Sequence, residues 1–462
     1  MKRVFKFPQL FLTLFLLVFV ACSDDDDNDG GEMMQEDPTI VDLAADNNDL
    51  GILVEALTRA NLVTTLQGDG PFTVFAPTDE AFTAFLSANN FASLDDVPVD
   101  VLTDILLNHV VEGNNLSTSL STGYVSSLST AGADGRALSL FINTEGGVTI
   151  NGVSTVTTAD VTASNGVVHI VDAVIGLPNI VDHAVANPDF SSLVGALTDG
   201  GNTTFTDLLS STDTDFTVFA PVNAAFTVFD NPNNNDLANI LSYHVVPGTA
   251  AFSDELMSMY ISTAGTNADG DALSIYIRPD ANGVEINGST SVIATDVVAT
   301  NGVVHAVNQV IDLPTVVTFA VSNPTFSTLV QALTDLTPNT DFVSVLSAQD
   351  GNGDDPFTIF APTNDAFDAL GDLPDEAGLV PVLQHHVVAG ANVRSGDLTD
   401  GISATTLEGD AITINLPGTG DNIADITDGA GNTGIGIIAV DVQAYNGVIH
   451  VVNTVLLPDT SN

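Results

Sequence analysis

The sequence predicts an α+β protein made of three tandem modules, and two observations carry that prediction. The first is a set of landmarks repeated in one order: Phe-Thr-Val-Phe-Ala-Pro-Thr from Phe72, Phe-Thr-Val-Phe-Ala-Pro-Val from Phe216 and Phe-Thr-Ile-Phe-Ala-Pro-Thr from Phe357. Each is followed by His-Val-Val (His109, His244, His386), by Asn-Gly-Val-(Val/Ile)-His (from Asn165, Asn301, Asn446), and by Leu-Pro (Leu177, Leu313, Leu457). The repeat of roughly 140 residues is that of whole domains, since solenoid units run about 20–50 residues. The second observation is a change of pattern inside each period. An opening half of helical periodicity gives way to a half rich in β-branched alternation, the mixture expected of an α+β fold.

In the first module Ile40-Val41-Asp42-Leu43-Ala44 and the apolar stretch from Leu50 to Leu57 read as opening helices, with Leu53, Ala56, Leu57 and Ala60 on a core-facing side. The same layout returns from Ile180 to Leu197 and from Val316 to Leu333. Phe72 to Phe75 reads as a short strand, broken by Pro77. Thr78 and Asp79 are candidate N-caps of a helix that carries Ala81, Phe82 and Phe85 on one side. Asn223 and Asn364 take the place of Asp79, and Val222 replaces the threonine in the second copy. Strands are expected over 138–142 and 148–152, over 273–277 and 284–288, and over 411–416 ahead of a Gly/Asp-rich segment, 417–436. Closing strands fall at 167–174, 303–310 and 448–455. Each of the first two copies runs through Leu-Pro into the next helix without a Gly/Ser linker, so modules are expected at 38–178, 179–314 and 315–462, in semi-rigid series.

The run from Phe72 to Phe82 and the Asn165-Gly-Val-Val-His169 stretch, in order and in triplicate, resemble the fasciclin domain, a module of extracellular and cell-surface adhesion proteins. The resemblance spans roughly residues 38–460. It implies a β-wedge of two sheets with helices packed on it. It also implies adhesion or matrix binding, with extracellular matrix, polysaccharide or a cell-surface protein as partner, and no established catalysis. The alternative is a carbohydrate- or ligand-capturing surface protein. An exposed aromatic platform would suit that role, but the chain has no Trp and 5 Tyr.

Lys2, Arg3 and Lys6 precede an apolar run from Leu10 to Val20, then Ala21-Cys22. A charged segment, an apolar segment and a small residue at the boundary make residues 1–21 a signal peptide. The stretch from Leu17 to Cys22 resembles the lipobox of bacterial lipoproteins, which makes Cys22, the single cysteine, the lipid attachment point. The other reading is an ordinary secretory signal with a chance cysteine. Residues 22–37 form an acidic spacer. Its Ser23-Asp24-Asp25-Asp26-Asp27 resembles the tag that sends lipoproteins of Bacteroidetes-type bacteria to the cell exterior. The expected location is the outer membrane, lipid-anchored and facing outward, with the membrane engaged through the anchor only.

Lys+Arg number 7 against 59 Asp+Glu, a formal net charge of −52. Beyond the signal segment the basic residues are Arg59, Arg136, Arg278 and Arg394. Nucleic-acid binding rests on basic side chains that neutralise phosphates, so this balance argues against such a partner.

Six of the eight histidines hold repeat positions: His109, His244 and His386, then His169, His305 and His450. Histidine in triplicate suits a metal or proton site. It equally suits buried side chains hydrogen-bonded to backbone, and the apolar neighbours Val110-Val111 and Val167-Val168 favour that reading. No His-Glu-x-x-His, no Gly-x-Ser-x-Gly and no Lys-bearing phosphate loop occurs, so no catalytic residue is assigned. Asp350, Asn352 and Asp354 alternate as at the start of a calcium-binding loop, but its sixth position is Asp355 and its twelfth is Ala361. Calcium there and a solvated acidic turn are both open.

Overall fold

The computed structural model describes residues 37–199, 203–349 and 355–460. The signal segment, Cys22, the spacer up to residue 36 and the calcium candidates Asp350, Asn352 and Asp354 lie outside the described residues. Residues Pro38–Asn462 form one unit.

Each module opens on a capped helix. Thr39 accepts the backbone N–H of Asp42, and Asp42 accepts that of Thr39, closing a capping box at the start of Ile40–Asp46. Asn179 with Asp182, and Thr315 with Thr318, rebuild the box on Ile180–Ala186 and Val316–Ser322. Further on, Thr78 caps helix Asp79–Ala88 by accepting the N–H of Ala81. Asp79, expected as an alternative cap, does another job. Its carboxylate accepts the N–H of Ile52 at 2.7 Å and ties this helix to helix Gly51–Arg59. Asn223 and Asn364 do the same for Ser192 and Thr328. Val222 provides no side-chain cap.

The strands of each module form a seven-stranded sheet. In the first module the order is Val110–Glu112, Phe72–Pro77, Gly166–Val171, Ser154–Ala163, Thr149–Ile150, Ser139–Asn143, Gly123–Ser126. The two signature motifs therefore lie side by side. Phe72–Pro77 and Gly166–Val171 pair in parallel, with Phe75 opposite His169. The same pairing sets Phe219 opposite His305 and Phe360 opposite His450. Parallel strands inside a domain are covered on both faces, which explains their largely apolar sequence. Val74 and Val168 face a core with Leu53, Leu57, Phe82 and Leu106 from the helices. Phe75 and Val171 face a second core with Leu140, Ile142 and Ile150.

The two halves of the expected wedge join through Ser154–Ala163, a strand the sequence did not foretell. It pairs with Thr149–Ile150 at its start and with Gly166–Val171 beyond, with register shifts between Val156 and Val161. Asp160 sits in the shift at φ 63°. The strand's polar sequence and half-exposed faces conceal it. Gly166 closes the turn into the last strand, and a Cβ there would collide with the carbonyl oxygen of Phe72. Gly302 and Gly447 face Phe216 and Phe357 in the same way, so the glycine of Asn-Gly is required by close backbone approach.

Candidate functional site

The repeated histidines fall into two groups, both buried. His109 follows helix Val99–Asn108. Its Nε2 accepts the N–H of Ile175 at 2.9 Å, so Nδ1 carries the proton and donates to the carbonyl of Ile105 at 2.7 Å. His244 bridges Ile311 and Ile240, and His386 bridges Leu456 and Val382, in the same way. Each imidazole thereby pins the segment after the closing strand to a helix end. Burial pushes all three down to about 4, so they are neutral at pH 7.

The second group joins a motif that the sequence reading missed. His169 stacks on Phe75 with centroids 5.7 Å apart. Its Nδ1 accepts the N–H of Asp160 at 3.2 Å, so Nε2 donates to the carbonyl of Asn115 at 2.9 Å. Asp160 turns its carboxylate to Ser117 and accepts its N–H at 2.7 Å and its hydroxyl at 2.6 Å. Ser253, Asp296 and His305 repeat the arrangement. Ser395 and Asp441 repeat the Ser–Asp pair beside His450. Serine, aspartate and histidine thus meet in every copy without forming a nucleophile relay. The hydroxyl points to the carboxylate, and the ring nitrogens of His169 and His305 are both engaged with backbone. These groups clamp a loop to a bulge. The signal that finds them is the Asp-Val pair five residues before each Asn-Gly (Asp160, Asp296, Asp441).

The other landmark residues are clamps as well. The Thr73 hydroxyl donates to the carbonyl of Gly113 and accepts the N–H of Asn115. Asn165 accepts the N–H of Ile40 and donates to the carbonyls of Leu66 and Gly68. Asn301 and Asn446 make the same three bonds. Among the described residues no group of three or more His, Cys, Asp or Glu is placed to hold a metal ion.

Chemistry that is not internal to a module lies at the junctions. The N–H of Val298 donates to Ser139 at 2.9 Å, and that of Gln443 donates to Ser274 at 3.0 Å. Tyr124 meets His183 edge-on at 5.6 Å, and Tyr260 meets Phe319 edge-on at 5.3 Å. One arginine spans each junction. Arg136 pairs with Asp254 and Glu255 and lies 4.3 Å from the ring centroid of Phe252. Arg394 pairs with Asp271 at 2.9 Å. The serine and tyrosine contacts are therefore built twice from residues at matching positions in successive copies, whereas the arginine stands on the earlier module at the first junction and on the later module at the second. His183, fully buried there and donating to the carbonyl of Val298, is also pushed down to about 4 by its burial.

Comparison with known proteins gives the family of the chain. Residues 48–178, 188–314 and 324–458 match the fasciclin domain, and the chain belongs to the fasciclin-domain family. Protein sll1483 of Synechocystis is 42% identical over 137 residues, 30% of this chain and 72% of that protein. Transforming growth factor-beta-induced protein ig-h3 of Sus scrofa is 26% identical over 416 residues, 87% of this chain and 55% of that protein. The chain thus spans about half the length of ig-h3. A solved FAS1 domain pair from the insect cell adhesion molecule Fasciclin I is 22% identical, with a TM-score of 0.39, over 57% of this chain and 97% of that one.

Proposed function

We propose that this chain is an adhesion-type surface protein. Lipid on Cys22 anchors it in the outer membrane, and its three modules bind extracellular matrix, polysaccharide or a cell-surface protein. The observation that carries the reading is the twice-built junction. Ser139 with Val298, and Ser274 with Gln443, hold successive modules in a fixed relation, so neighbouring binding faces are offered together. Linked sites engaged together gain avidity through effective concentration, by about 10²–10⁴-fold, without any new contact. Family membership supports a binding role, and in each copy the signature side chains are spent on internal clamps. Contacts to a partner then fall to the exposed residues that differ between copies.

The test uses cells carrying the full-length protein. They should adhere to a surface coated with their own extracellular polysaccharide and matrix protein, and lose that adhesion on protease shaving. Cys22→Ser should move the protein into a soluble fraction and abolish adhesion. Adhesion that survives both treatments contradicts the proposal.

A further inference from the structure

We propose that the second and third modules each hold an uncharged, apolar small molecule in a pocket between the opening helix and the parallel strands. In the second module Val181, Ala184, Leu197, Phe205, Val218 and Val304 line it. In the third, Val317, Ala320, Leu333, Phe342, Ile359 and Ile449 do so. The cavity volumes are about 80 and 50 Å³, whereas the same place in the first module, between Ala44, Leu57, Val74 and Val168, keeps about 10 Å³. That last volume holds no more than a water, and a purely apolar void stays dry.

The difference accompanies a change in the chain. In the first module helix Gly51–Arg59 runs almost directly into helix Val63–Leu66. Leu62 and Leu66 are drawn into the core beside Leu57. In the other copies the links are longer, from Ser191–Leu197 to Thr204–Leu209 and from Ser327–Thr334 to Phe342–Leu346. The second helix still buries Phe205 and Leu209, or Phe342 and Leu346, at the places of Leu62 and Leu66, and the gap lies between it and the opening helix. An exposed valine marks each mouth: Val185 is 66% exposed and Val321 64%, and both line their pockets. The corresponding residue of the first module is Ala45. Val185 also borders a cleft with Val153, itself 62% exposed, so the apolar surface continues outside the mouth.

The lining fixes the ligand's chemistry. No Lys, Arg, Asp or Glu lines either pocket. His244 lines the first, but its two nitrogens are already bonded to Ile240 and Ile311. A carboxylate or phosphate would find no partner there, and a chain of net charge −52 repels anions. A hydrocarbon group instead restores the dispersion contacts that the lining atoms lack. This site is independent of the adhesion reading, since the lining of each pocket comes from a single module.

The experiment titrates the full chain with xenon, a neutral apolar atom small enough for these cavities, and with iodide, its isoelectronic anion, as the charged counterpart. Saturable binding of the neutral probe at two sites per chain is expected, with the anion at least tenfold weaker. Val185→Asp combined with Val321→Asp places a carboxylate at each exposed mouth. It should weaken the neutral probe at least tenfold without changing Tm. Ala184→Leu with Ala320→Leu fills the pockets from inside and should have the same effect. Three equal sites per chain, equal affinity for the anion, binding indifferent to both double variants, or no saturable binding would each overturn the proposal.

Discussion

Mild acid should unfold this protein through its buried histidines. His109, His183, His244 and His386 are each held neutral by burial, with folded values of about 4. In the unfolded chain a histidine takes its proton near about 6.5. Between those values the unfolded state binds more protons than the native one, so stability falls as pH falls. The contribution is complete above about 6.5, is lost progressively toward 4, and levels off below that. At pH 5 each such group costs about 2 kcal/mol, a large part of a domain stability of about 5–15 kcal/mol. The second module carries two of them, His183 and His244, and its cost is about 4 kcal/mol. It should therefore unfold before the first module, which carries one such group, His109. His305, His385 and His450 are also lowered by burial and act in the same direction. Carboxylates held low by hydrogen bonds, such as Asp42 and Asp341, withdraw stability only below the usual carboxylate value of about 3.9 and so do not confuse the window. The assay is urea unfolding followed by circular dichroism at pH 7, 6 and 5, for the native chain and for His244→Gln. The native chain should lose stability steeply below pH 6.5. The variant, weaker at pH 7, should lose less between pH 7 and 5 by up to about 2 kcal/mol. Equal slopes in the two proteins, or a flat native profile, would refute the reasoning.

Asn165→Ala removes an acceptor for Ile40 and donors for Leu66 and Gly68. It should destabilise the first module by about 3 kcal/mol, read as a lower Tm for one transition while the others stay in place. Gly166→Ala forces a Cβ against the Phe72 carbonyl and should reduce the yield of folded first module far more than Gly146→Ala, where nothing lies within 4 Å. Tm should climb with NaCl, because screening relieves the repulsion of so acidic a chain. Micromolar calcium raising Tm beyond what NaCl does at equal ionic strength, and losing that effect in Asp350→Asn with Asp354→Asn, would establish the calcium reading of that loop. The solvated-turn reading predicts no such excess.

Local signals were legible in the sequence, and long-range ones were not. The cap at Thr78 is written within three residues of the N–H it receives, and the runs at Phe72 and Val167 announce strands. The strand Ser154–Ala163 escaped because half-exposure gives it a polar composition and its register shift interrupts alternation. Asp79 was misassigned because its partner, Ile52, lies 27 residues away on another helix. The junctions were beyond reach for the same reason, since Ser139 and Val298 are 159 residues apart. The apolar pockets were concealed more deeply. Their lining residues are of the same apolar types that fill the first module.

The most direct test of the central claim, that fixed modules act together on a partner, compares the intact chain with Tyr124→Ala combined with Tyr260→Ala. That change removes the ring at each junction and leaves the clamps inside the modules in place. Dissociation from one surface, coated with extracellular polysaccharide and matrix protein, is measured for both proteins at equal concentration. The account predicts dissociation at least tenfold faster from the loosened chain. Equal dissociation of the two would contradict it and place binding in a single module.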